Sequence, residues 1–212
     1  MPGYKVISPE TVTVAETALI EEGVIIFPNN HILGNSVIQR GTVLYPNNII
    51  ENCSIGRDCE ITASVLRGAV VGNSVRIGPF ANLRAGTVIG DSCRIGDFVE
   101  IKNSRLGEGT KASHLAYVGD ADVGKFCNIG CGAVFCNYDG QEKHRIEVED
   151  GCFIGSNVNL VAPVALGAGS YVAAGTTVTE NAPPGSFLIG RVRQQKNERL
   201  AQKYVRRGKD DG

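Results

Sequence analysis

Apolar positions recur along this chain at nearly every sixth residue. Val14, Ile20, Ile26, Ile32, Ile38, Leu44 and Ile50 open the series. Shorter steps pass through Ile55, Ile61 and Leu66, and the spacing of six resumes at Val71, Ile77, Leu83, Ile89, Ile95 and Ile101. Leu106, Ala112, Val118, Val123, Ile129 and Phe135 carry it on, and Val148, Ile154, Leu160, Leu166, Val172 and Val178 close it. Only Ala112 and Phe135 depart from Val, Ile or Leu. A period of six fits neither an α-helix nor a sheet of hairpins. It predicts short strands joined by tight corners, one strand per hexapeptide, with three strands to a triangular coil of about 18 residues. The series makes about nine such coils, each rising about 4.8 Å along the axis. Glycine often follows the aliphatic residue, as at Gly56, Gly72, Gly90, Gly107 and Gly124. There it is expected to supply the permissive backbone of a corner.

A narrow prism takes one aliphatic side chain per strand and small residues between. That accounts for 27 glycines, no tryptophan and 6% aromatics in 212 residues. Cys53, Cys59, Cys93, Cys127 and Cys152 each precede an aliphatic position by two, which predicts small fillers of an inner slot. Seven cysteines without a paired CxxC indicate neither a disulfide framework nor a zinc site, and no metal ligand set is expected. The balance of 21 basic and 22 acidic residues argues against nucleic-acid binding. No apolar run reaches membrane-spanning length. The start MPGYKVISPE lacks a signal-peptide core, so a cytoplasmic location is expected. The prism is placed at 1–185, with an insertion at 136–147, and a basic extension at 186–212. The extension carries eight Lys/Arg against three Asp/Glu. It reads either as a solvated tail, partly helical around Asn197 to Val205, or as a segment that attracts an anion and packs on a neighbour.

Three departures from monotony carry candidate chemistry. The positions after Leu83 and Ile101 hold Arg84 and Lys102 where glycine is common elsewhere. They lie 18 residues apart, one coil, and so stack on one corner. Two readings fit: a phosphate site, or two solvated surface cations. Next, coil counting puts 112, 129, 154 and 172 on one corner. His114, Cys131, Ser156 and Ala174, two residues further on, then line one edge for roughly 14 Å. His114 at the lower end of such a groove reads as a general base or as a surface histidine beside small residues. Last, the step from Phe135 to Val148 is thirteen residues, not six. The loop between them is either a tolerated excursion or a projection that completes a pocket on a neighbouring prism.

The segments HLAYVGDADVGKFCNIGCGAVFCNYDG and SNVNLVAPVALGAGSYVAAGTTVT, with FANLRAG and VEIKNSRLGEG before them, carry a family resemblance. They resemble the acetyltransferase domain of the bifunctional bacterial enzyme that makes UDP-N-acetylglucosamine, a left-handed parallel β-helix of hexapeptide repeats. The likeness runs from about Val71 to Gln194, and weaker repeats extend it back to about Pro9. It implies transfer of acetyl from acetyl-CoA to the amine of glucosamine 1-phosphate, for UDP-N-acetylglucosamine and cell-envelope precursors. By position, His114 matches the family's base, and Arg84, Lys102 and Lys143 its sugar-phosphate ligands. Tyr117 and Asn128 match sugar contacts, and Asn137 and Tyr138 the loop beside the acetyl group. Ser156, Ala174 and Arg191 match acetyl-CoA contacts, and Cys131 stands where the family usually has alanine. The resemblance also implies a homotrimer with sites at subunit interfaces, and no metal in the transfer step.

The family's glycine-rich uridylyltransferase motif does not occur in this chain, so uridylyl transfer is not expected of it. Met1 and the start that follows favour a stand-alone protein over a fragment. Rival readings are an acetyltransferase for another phosphorylated or nucleotide-linked amino sugar or for serine, and a non-catalytic β-helix scaffold. A γ-type carbonic anhydrase shares the prism, but His31, His114 and His144 lack the spacing of its three zinc ligands.

Overall fold

The computed structural model describes residues 3–198 and 200–203. Its strands are two or three residues long, apart from two of nine residues, Arg94–Lys102 and Lys111–Gly119. The strand ladders are parallel and wind as a left-handed β-helix. Three faces repeat up the axis. The first stacks Ile77, Ile95, Ala112, Ile129, Ile154 and Val172 in register. The second stacks Leu83, Ile101 and Val118, then Phe135, Leu160 and Val178. The third is a nine-stranded sheet carrying Ile89, Leu106, Val123, Val148 and Leu166. The series thus advances one apolar residue per face, and all but the half-buried Val14 and Ile20 at its start are buried. The prism has about ten turns, not nine. Lys5–Val6 and Phe187–Leu188 add rungs at the ends, where the spacing of six is lost.

The inner slot two residues before each series position holds alanine, a β-branched aliphatic such as Val75 or Val99, or a small polar side chain that in many cases reaches a neighbouring carbonyl. Cys53, Cys59, Cys93, Cys127 and Cys152 are buried free thiols there. Asn48 is fully buried and donates to Asn30 Oδ1 at 2.9 Å and to the carbonyls of Tyr45 and Ile61. It accepts from the Ser64 amide at 2.9 Å. No buried side-chain polar atom among the described residues lacks a partner, as a dry interior demands.

The glycine column has a different cause from the one expected. Of the glycines that follow an aliphatic, Gly78 is left-handed, with a φ of 101°. Gly107 is typical of the rest: a Cβ there would lie 2.6 Å from the backbone of Gly124 in the next coil. Close approach of stacked coils requires it, not a left-handed φ. The left-handed corners are taken largely by other residues, Asn47, Asp58, Phe80 and Phe98 among them. Glycine is common in two of the three columns, and the column of Arg84 and Lys102 holds one, Gly119, directly above Lys102. The column of Arg84 and Lys102 bears side chains at Ala15, Leu33, Glu51 and Arg67 below them. Below Gly119, Arg84 and Lys102 therefore continue a column of side chains and do not interrupt a run of glycines. The 3-10 turn Leu200–Lys203 occupies part of the stretch expected to be helical, and residues 204–205 lie outside the described residues. No helix among the described residues is long and apolar enough to cross a membrane.

Candidate active site

The two long strands build the site. Arg94–Lys102 and Lys111–Gly119 run without a break from the first face, round one edge, onto the second. At the bend Phe98 and Leu115 take left-handed φ values of 55° and 38°, and both side chains are exposed. Register places His114 directly above Asp97. His114 Nδ1 lies 2.6 Å from Asp97 Oδ1, and the imidazole is 58% exposed. The hydrogen bond from His114 holds the Asp97 carboxyl below its ordinary range. His114 Nε2 has no partner among the described residues.

The edge above His114 forms as counted. Ala112, Ile129, Ile154 and Val172 share a register, so Cys131, Ser156 and Ala174 follow His114, one per coil. All three are exposed. Arg191 returns over the top of this line, its guanidinium donating to the Ala174 carbonyl at 2.6 Å. The amide N–H of Cys131 makes no hydrogen bond to another described residue.

The second group sits where the second face ends. Leu66, Leu83 and Ile101 share a register, which stacks Arg67, Arg84 and Lys102. Each cation has a carboxylate. Arg67 pairs with Glu51 at 3.3 Å, Arg84 with Glu100 at 2.9 Å and Lys102 with Asp120 at 3.4 Å. Asp120 is buried. Burial alone would raise its pKa, but Asn103, Asn137 and Lys102 donate to it and hold it below the ordinary value. Tyr117, on the face between His114 and the cations, leans its hydroxyl over Gly119, toward Lys102.

The inserted loop is a braced finger. Asp139 accepts from the amides of Gln141 and Glu142 and from His144 Nε2 at 2.8 Å. These bonds, that of Glu142 first, hold its carboxyl far below the usual carboxylate range. Tyr138 donates its hydroxyl to the Gly140 carbonyl at 2.7 Å and bridges to Lys143. Arg145 pins the loop's return to Asp122 at 2.8 Å. The result is that Lys143 sits beside Lys102. The neighbouring Lys102, with the charge of Arg84, pushes the Lys143 ammonium below the usual lysine value. Three cations thus converge from two coils and a loop.

Not every predicted residue joins this surface. Asn128 points from the first face, beside Phe153, across the edge from Tyr117. Asn137 turns inward, its amide committed to Asp120. Sequence reasoning missed Asp97, Glu100, Asp120 and Arg67. Reading the edge line one coil below His114 reveals Asp97, and reading the cation column one coil lower reveals Arg67. A concavity of about 500 Å³ lies on the third face, lined by residues that include Val88, Arg105, Gly107 and Glu147. It holds none of the convergent groups, and the chemistry is placed by those groups, not by the depth of a hollow.

The family described as bacterial transferase hexapeptide (six repeats) matches residues 68–103, and the hexapeptide repeat of succinyl-transferase matches residues 145–180. The bifunctional protein GlmU of Carboxydothermus hydrogenoformans is 49% identical over 196 residues, covering 92% of this chain and 44% of that protein. The chain is a hexapeptide-repeat protein homologous to part of GlmU. GlmU of Thermotoga maritima is 44% identical over 192 residues, covering 91% of this chain and 43% of its own. The chain therefore spans less than half the length of the GlmU relatives it matches. A solved structure, an Arabidopsis UDP-N-acetylglucosamine acyltransferase, superposes with a TM-score of 0.68 at 18% identity. The match covers 84% of this chain and 69% of that one, and it shows a shared fold.

Proposed function

We propose that this chain is an acetyl-CoA-dependent N-acetyltransferase whose acceptor is glucosamine 1-phosphate. The observation that carries the reading is the convergence of Arg84, Lys102 and Lys143 on the face that His114 borders. Homology to part of GlmU agrees with it. A phosphate among the three cations holds the sugar across Tyr117 with its amine toward His114. Positioning of this kind supplies much of the rate of a two-substrate reaction. His114 Nε2 accepts the amine proton as nitrogen attacks the thioester carbonyl carbon. The Cys131 amide is a free donor for the resulting oxyanion. The carbon–sulfur bond then breaks, and the proton on His114 passes to the departing CoA thiolate. Ser156, Ala174 and Arg191 carry acetyl-CoA along the edge, with Arg191 facing its phosphates. A cytoplasmic location goes with this use of acetyl-CoA.

The site is open on a single prism, and Asn128 faces away from Tyr117. Both observations fit a closed homotrimer in which a neighbour's first face covers this second face.

Lys143 offers a binding test. Its proton is weakened by Lys102 and Arg84 in the free protein, and a bound phosphate dianion restores it. Between the free and bound pKa values, binding therefore takes up a proton, and affinity falls as pH rises through that window. Titration calorimetry with glucosamine 1-phosphate at alkaline pH is expected to give an enthalpy that varies with the buffer's ionisation enthalpy, with the sign of uptake. Lys143→Met abolishes the variation. Binding of glucosamine as tight as that of its 1-phosphate contradicts the reading.

A further inference from the structure

We propose that Asp97 is the positioning residue of His114, holding its imidazole in the one tautomer that leaves Nε2 as the proton acceptor. The inference rests on His114 as the base. Neutral imidazole has one donor and one acceptor nitrogen, and the group bound to one decides the role of the other. An ionised carboxylate only accepts, so at 2.6 Å from Asp97 Oδ1 the His114 Nδ1 must carry hydrogen. Nε2, which has no protein partner among the described residues, is then the lone-pair nitrogen.

The support is stiff as well as well placed. Asp97 and His114 are register partners on two nine-residue strands, bonded to each other from Arg94–Lys111 to Lys102–Gly119. Neither side chain hangs on a loop. The charge of Arg94 lies close enough to favour the ionised Asp97. When His114 takes the amine proton, the imidazolium gains an adjacent carboxylate, and that stabilises the state in which charge has separated. Asp97 itself keeps no proton. The other described His–Asp pair, His144 Nε2 with Asp139, bonds through the opposite nitrogen and braces the loop, so it serves as an internal control.

Two measurements test this. ¹⁵N correlation spectra of histidine-labelled protein need no turnover. Wild type is expected to show His114 as the Nδ1–H tautomer. Asp97→Ala is expected to shift it to a mixture or to Nε2–H, with His144 unmoved. In the thiol-release assay, Asp97→Ala and Asp97→Asn are expected to lower kcat about 10- to 100-fold, with KM for either substrate changed less than about threefold. In a His114→Ala background, Asp97→Ala is expected to cost nothing further. Additive losses, or an unchanged His114 tautomer in Asp97→Ala, overturn the assignment. A tautomer shift in a protein that acetylates no amino sugar upholds the pair and removes the reading of function instead.

Discussion

His114→Ala is expected to lower acetyl transfer by about 100-fold or more, while secondary structure and assembly stay unchanged. The base is required because the attacking amine must shed a proton as it becomes an amide nitrogen, and the departing thiolate needs one. His114 is the exposed titratable group on the edge with an unpartnered nitrogen, and its imidazole touches no core residue through that nitrogen. Truncation therefore removes proton transfer without opening a cavity. The loss belongs in kcat, since the acceptor is held by its phosphate some residues away. Steady-state thiol release with wild type and variant checks this, alongside circular dichroism and light scattering. Near-normal turnover removes His114 as the base.

Arg84→Ala is expected to raise the acceptor KM by about 10- to 100-fold, with kcat little altered. Two effects add. The charge-assisted contact to phosphate is lost, and Glu100, which Arg84 now neutralises at 2.9 Å, is left as a bare carboxylate beside the anion. The second effect is separable. Arg84→Ala with Glu100→Gln is expected to recover part of the lost affinity, which a simple contact count does not predict. An unchanged KM in Arg84→Ala refutes the phosphate clamp.

Much of this site was readable as arithmetic along the chain. The hexapeptide ruler, with its five-residue steps and its thirteen-residue gap, placed His114, Cys131, Ser156 and Ala174 on one edge. The strand registers agree. It also stacked Arg84 on Lys102. What it missed has physical reasons. Asp97 lies between Gly96 and a corner Phe98, and Asp120 follows Gly119, so both read as turn residues; only the neighbouring coil gives each its partner. The position of Lys143 depends on hydrogen bonds within the loop, centred on Asp139, that no period encodes. Periodicity also located the glycines without their cause, because contact between stacked coils is invisible in a single repeat. The end rungs at Val6 and Leu188 fall outside the ruler because their spacing is irregular.

Electrostatics gives the clearest link from fold to proposed chemistry. Coil stacking alone puts Arg67, Arg84 and Lys102 about 4.8 Å apart, an arrangement that costs free energy unless anions intervene. The protein supplies Glu51, Glu100 and Asp120 as internal counter-ions. Lys143 is then added by the finger with its ammonium already weakened. This poise favours an incoming phosphate that displaces Glu100 and restores the proton on Lys143.

The central claim is tested most directly by thiol release from acetyl-CoA with four acceptors: glucosamine 1-phosphate, glucosamine, glucosamine 6-phosphate and serine. Turnover with glucosamine 1-phosphate that exceeds the other three by orders of magnitude in kcat/KM is the predicted result. No release with glucosamine 1-phosphate, or equal rates with unphosphorylated glucosamine, contradicts the account.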